Sequence, residues 1–332
     1  MKSFLAPLFA AGILFATSFS AYAAAPDSPP ASKPTIFVCG DSTSKYNGSE
    51  TINSDMQGWG TPIALFFDSD KVKVSNMGHA GTSSMSYYNG DWPRVVGQVK
   101  SGDFVLIVFG INDGTTLNGI GEETRPAAAR GGARGARGPA TTPAPGAPTA
   151  SAPATPPAAG PVEHTYGWYM AKMATDALAK GGHPVFLTVT TRNIWTNPKA
   201  TFKDATPQGA LPPDYDPAQD KIEHGTGNGK YTQWTKDVAK NLHLPVFDLT
   251  NYCADLYEKM GRENVNKMYQ DHNHTHAVGA LTVATAIASG LKGLKDSPFV
   301  PLMSEKGKAL TAADAKYISD NSPDPAAAPA MK

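Results

Sequence analysis

Five short apolar runs, separated by stretches of helical periodicity, constrain this chain more than any other feature of its sequence. The runs are Thr35–Cys39, Lys71–Ser75, Phe104–Phe109, Pro184–Val189 and Leu244–Leu249. Most are rich in Val, Ile and Phe and too short for a buried helix, so they are expected to be strands. Helical patterns cover Gly60–Phe67, Trp92–Val99, Gly167–Lys180, Tyr231–Asn241, Tyr252–Met260 and Val278–Lys292. Such alternation predicts an α/β fold: a central parallel sheet of about five strands with helices on both faces. In such sheets the functional groups gather at the carboxyl ends of the strands.

The two ends and one internal stretch fall outside this pattern. Met1-Lys2, an apolar run from Phe4 to Phe19 and Ala21-Tyr22-Ala23 read as a secretory leader over residues 1–23, cleaved after Ala23 or Ala25. The mature protein is then expected to be secreted or periplasmic. Residues 24–33 read as a linker, 34–300 as one domain and 301–332 as a C-terminal tail. Residues 126–161 are almost wholly Ala, Pro and Gly, with some Thr, Ser and Arg. They contain no Leu, Ile, Val, Met or aromatic residue, so they cannot offset the entropy of ordering. The expectation is a disordered insertion between the third strand and its helix. The balance of 29 basic against 29 acidic residues argues against a nucleic-acid coat. Cys39 and Cys253 read as small buried apolar residues, with a disulfide between them as the alternative that export would permit.

Four segments carry chemistry, and each alone has two readings. Gly40-Asp41-Ser42-Thr43 ends the first strand, where Ser42 suits a nucleophile or a helix N-cap. Gly81 follows the second strand and can expose a backbone N–H. Asn112, in Gly110-Ile111-Asn112-Asp113, can aim an amide at an oxyanion or form an Asn/Asp turn. Asp271-His272-Asn273-His274-Thr275-His276 precedes the last helix. There Asp271 and His274 suit a carboxylate-oriented base, while His272, His274 and His276 at spacing two suit a metal. Gly225-Thr226-Gly227-Asn228-Gly229-Lys230 lacks the phosphate-loop spacing and reads as a flexible loop. Trp59, Tyr87, Tyr88, Trp92, Trp168 and Trp195 fall near the same sheet edge, as core or as stacking surfaces.

Taken together, Gly40-Asp41-Ser42, Gly81, Gly110-Ile111-Asn112-Asp113 and Asp271-x-x-His274 resemble the four blocks of the SGNH (GDSL-type) hydrolases. Gly40–Thr43, His164-Thr165-Tyr166-Gly167-Trp168-Tyr169, Arg192-Asn193-Ile194-Trp195 and Asp271–Thr275 look like the rhamnogalacturonan acetylesterase branch, carbohydrate esterase family 12. The similarity runs from about Thr35 to Leu294; Asn273 and His276 depart from the branch pattern. The resemblance implies a flavodoxin-like three-layer α/β/α fold and a serine esterase. Ser42 would be the nucleophile, His274 the base and Asp271 its orienter. The Ser42 and Gly81 N–H groups and the Asn112 amide would form the oxyanion hole. From the residues themselves, Trp168 and Trp195 read as stacking faces for sugar rings or as packing, and Arg192, just past the fourth strand, reads as a partner for a uronate carboxylate or as a helix cap or loop brace. The implied partner is acetylated plant cell-wall polysaccharide. No metal, cofactor, nucleic acid or membrane is expected to take part, and the enzyme is expected to be a monomer.

Overall fold

The computed structural model describes residues 33–45, 55–126, 162–227 and 229–321. The proposed leader and nearly all of the Ala/Pro/Gly insertion lie outside these residues. Six strands form one sheet: β1 (Thr35–Gly40), β2 (Lys73–Asn76), β3 (Phe104–Val108), β4 (His183–Leu187), β5 (Val246–Phe247) and β6 (Ile318–Ser319). Their spatial order is β6-β5-β4-β3-β1-β2. All pairings are parallel except β5 with β6, which is antiparallel.

Strand periodicity sorts the side chains of this sheet into two cores. Ile36, Val38, Leu106, Val185, Leu187 and Phe247 point to one face. They pack there with α6 (Leu249–Met260), α7 (Arg262–Asn266), α8 (Ala277–Gly293) and the 3₁₀ turn Pro62–Phe66. Phe37, Cys39, Val105, Ile107, Phe186 and Val246 point to the other face. That face is covered by α2 (Ser84–Gly90), α3 (Trp92–Val96), α4 (Tyr166–Ala179) and α5 (Lys230–Asn241). The result is the expected three-layer α/β/α architecture. Burial on both faces is why the strands read as continuous apolar runs rather than alternating ones.

Cys39 and Cys253 are buried and unbridged in opposite cores, and burial pushes both thiols up to about 12. They are packing residues, and the disulfide alternative falls. The chain after residue 300 is not a tail up to Ser319. Met303 is fully buried, and β6 closes one edge of the sheet against β5. Two-residue strands carry too little periodicity to read from sequence. Pro126, the first residue of the insertion, and Val162, just past its end, are register partners in an antiparallel pairing of Thr124–Pro126 with Val162–His164.

Candidate active site

At the carboxyl end of β1 the chain turns at once into α1 (Ser42–Lys45). The turn is tight: a Cβ on Gly40 would lie 2.9 Å from both Ser44 Oγ and a Val108 methyl. Asp41 starts the helix. Its carboxylate accepts the Thr43 N–H at 2.9 Å and the Thr43 hydroxyl at 2.8 Å. Capping therefore falls to Asp41, and the Ser42 hydroxyl is left for other work.

That hydroxyl lies 2.9 Å from His274 Nε2. On the other side of the ring, His274 Nδ1 is 2.7 Å from Asp271 Oδ2. Asp271 also accepts the N–H groups of Asn273 (2.7 Å) and His274 (2.8 Å), which fold the 271–274 segment into a turn. Burial opposes ionisation of Asp271, but the bonds from the His274 ring and these two N–H groups outweigh it. Its carboxyl is held below the usual carboxylate range. Ser42, His274 and Asp271 are thus brought together in the geometry of a nucleophile, a base and an orienting carboxylate.

The remaining blocks meet β1 at the same sheet edge. The His79 N–H donates to the Gly40 carbonyl at 2.9 Å, drawing the loop after β2 against the end of β1. Asn76, at the end of β2, donates to the Ser44 carbonyl and accepts the Gly78 N–H. Gly81 has φ +77° with open space around its Cβ position, so its backbone, not crowding, calls for glycine. Asn112 makes no cap bond; its amide donates to the Thr82 carbonyl at 3.1 Å, next to Gly81. The turn is made instead by buried Asp113, which accepts from Ser84 N–H (3.0 Å), Ser84 Oγ (2.5 Å) and Thr116 Oγ (3.0 Å). Burial pushes the Asp113 carboxyl up to about 6, against these hydrogen bonds.

Sequence reasoning missed these supports. Asp41, Asn76, Ser84 and Asp113 hold these segments in place, yet Asn76 and Ser44, like Ser84 and Asp113, lie far apart in sequence. Thr226 is another: its hydroxyl holds the Gly110 carbonyl at 3.0 Å. Gly225 and Gly227 around it have positive φ. The glycine-rich segment is therefore a brace on the end of β3.

The expected substrate contacts separate. Trp168 is half-buried, stacked on His164 with centroids 3.7 Å apart and meeting Tyr88 edge-on. Arg192 does not offer a free charge: its Nε and Nη2 engage Glu223 at 2.8 and 2.7 Å, bracing the loop after β4. Trp195 is only 3% exposed and belongs to the core, with its indole N–H on Asn193 Oδ1. Trp59, Tyr87 and Trp92 are core residues as well. The three histidines of the last block diverge. His272 Nδ1 pairs with Asp204 at 2.8 Å, and His276 Nδ1 faces the Asp55 carbonyl at 3.4 Å. Among the described residues no group of three or more His, Cys, Asp or Glu could hold a metal ion. No helix among them is long and apolar enough to cross a membrane.

Comparison with known proteins gives the class of this chain, a hydrolase of carboxylic esters. No family model matches the chain. The chain is 26% identical over 260 residues to a rhamnogalacturonan acetylesterase of Emericella nidulans, covering 78% of this chain and 84% of that one. It is 24% identical over 289 residues to the rhamnogalacturonan acetylesterase RhgT of Bacillus subtilis, covering 82% and 96%. The crystal structure of the YxiM protein of Bacillus subtilis shares the fold, with a TM-score of 0.52 and 18% identity over 79% of this chain and 57% of that one. The chain is thus a carboxylic ester hydrolase similar to rhamnogalacturonan acetylesterases over most of its length.

Proposed function

We propose that the protein is a secreted serine esterase that removes acetyl groups from pectic polysaccharide, rhamnogalacturonan in particular. The observation that carries the mechanism is the run of contacts from Ser42 Oγ through His274 to Asp271, at 2.9 and 2.7 Å. The two relatives named as rhamnogalacturonan acetylesterases support the substrate. The leader read over residues 1–23 supports export.

In this reading His274 takes the Ser42 proton as Oγ attacks the acetyl carbonyl. The Ser42 and Gly81 N–H groups and the Asn112 amide receive the developing oxyanion. His274 then passes its proton to the departing sugar hydroxyl, leaving acetyl-Ser42. Water, deprotonated by the same imidazole, releases acetate and restores the serine. Asp271 holds the ring in the required tautomer and stabilises the imidazolium.

The test is acetate release from acetylated rhamnogalacturonan and acetylated xylan, with Ser42→Ala as the blank. Release from the pectic polymer is expected, with a loss of at least ~10³-fold in the variant. Release from xylan alone would discard the substrate, and undiminished release by Ser42→Ala would discard the mechanism.

A further inference from the structure

Between β4 and α5 the chain makes an excursion at the carboxyl edge of the sheet, and its tip reaches the loop that carries Asp271 and His274. The tip is the two-residue turn Asp204-Ala205, joining the paired strands Phe202–Lys203 and Thr206–Pro207. Both turn residues are left-handed, with φ +47° and +60°. Two-residue hairpins favour Asn-Gly at such positions, because other side chains there cost energy. Neither residue here is glycine, and each has a contact that holds it. Ala205 is buried in the core, and its carbonyl accepts from Arg262 Nη1 at 2.7 Å. Asp204 Oδ1 lies 2.8 Å from His272 Nδ1.

His272 sits inside the Asp271–His274 turn, with its ring directed to the hairpin. Its carbonyl accepts the Asn193 N–H at 2.8 Å, so the residue is anchored by main chain and by side chain. The Asp271 side chain is 37% exposed, so water competes for the carboxylate that orients His274. Whatever limits the freedom of residues 271–274 keeps the bonds from Asp271 to His274 and from His274 to Ser42 in line. We propose that Asp204 is a positioning residue for ester hydrolysis: through His272 it latches the hairpin onto the 271–274 turn and fixes the imidazole against Ser42. This rests on His274 being the base and Ser42 the nucleophile.

The experiment compares Asp204→Gly and Asp204→Asn with the parent enzyme on 4-nitrophenyl acetate, with melting temperatures in parallel. Glycine adopts φ +47° without strain, so Asp204→Gly should melt at or above the parent temperature. Its kcat should nonetheless fall about tenfold with KM within about twofold, since small misplacements of a reacting group are costly. Asparagine tolerates the left-handed region and keeps an acceptor for the His272 N–H, so Asp204→Asn should retain at least about half of kcat. Unchanged kcat in Asp204→Gly would overturn the proposal. So would a joint loss of kcat and melting temperature, or an equal loss in Asp204→Asn. Ser42→Ala, assayed alongside, separates the two levels. If it remains active, the underlying mechanism fails. If it is inactive while Asp204→Gly is fully active, the latch alone fails.

Discussion

Asp113 is fully buried among hydroxyl and amide donors, with the Asp41 carboxylate adding repulsion. Its carboxyl titrates at about 6, above the ordinary 3.8, so the folded state binds its proton more tightly than the unfolded chain does. The stabilisation tied to that proton is therefore complete below about pH 4 and is lost as pH rises through 6. A shift of this size corresponds to roughly 2–3 kcal/mol. Asp113→Asn keeps an acceptor for Ser84 but cannot ionise. The unfolding free energies of parent and variant should therefore diverge between pH 4 and 6.5, with the parent losing ground. Parallel curves over that window would sink the assignment. The contrast with Asp271 is instructive, because its lowered pKa gives stability that is lost only as acid protonates it. Ser42, Gly81, Asn112, Asp271 and His274 could be picked out as candidates because each stands in a short local motif after a strand or before a helix. The duties of Asp41 and Asp113 were not, because burial, which decides how a carboxylate behaves, is a property of the packed molecule.

Elements were legible in proportion to their length. The strands at 35–40 and 104–108 and the long helices α4, α5 and α8 fall within a residue or two of their expected bounds. The expected strand Leu244–Leu249 shrinks to two residues because Asp248 turns out of the sheet to cap α6. The excursion between β4 and α5 had no periodic signal, and its order comes from a buried ion pair instead. Arg262 Nε lies 3.0 Å from Asp220 Oδ2, with both side chains under 10% exposed. Tyr215 and Asn197 also donate to Asp220, and the Arg262 guanidinium lies 4.2 Å from the Phe202 ring centroid. Removing one partner of such a pair strands a buried charge, at a cost of about 3–5 kcal/mol. Arg262→Ala should lower the urea midpoint accordingly and open residues 195–222 to limited proteolysis. A loss below about 1 kcal/mol, with the parent digestion pattern, would show that the excursion is ordered by other means.

At the scale of the whole molecule, two of the stretches that sequence set apart differ in what they have to bury. Residues 126–161 offer no large apolar side chain to bury, and the first of them, Pro126, is already paired with Val162 just past the last. A turn of two to four residues can close that gap. The stretch from residue 301 was also set aside, yet Met303 lies in the core, as does Phe299 just ahead of that stretch, and β6 joins the sheet. Burying each such side chain contributes about 1.5–3 kcal/mol. Truncation at residue 296 would forfeit both and expose one edge of β5, leaving that two-residue strand paired with β4 alone. Replacing residues 127–161 with a short Gly-Asn turn should thus leave the melting temperature within a few degrees of the parent. Truncation after residue 296 should lower it by well over ten degrees, as a loss of several kcal/mol does in a domain of this size, or abolish soluble expression. Were the excision the more damaging of the two, the insertion would have to bury surface that its composition does not provide, and the boundary of the folded unit would need redrawing around it.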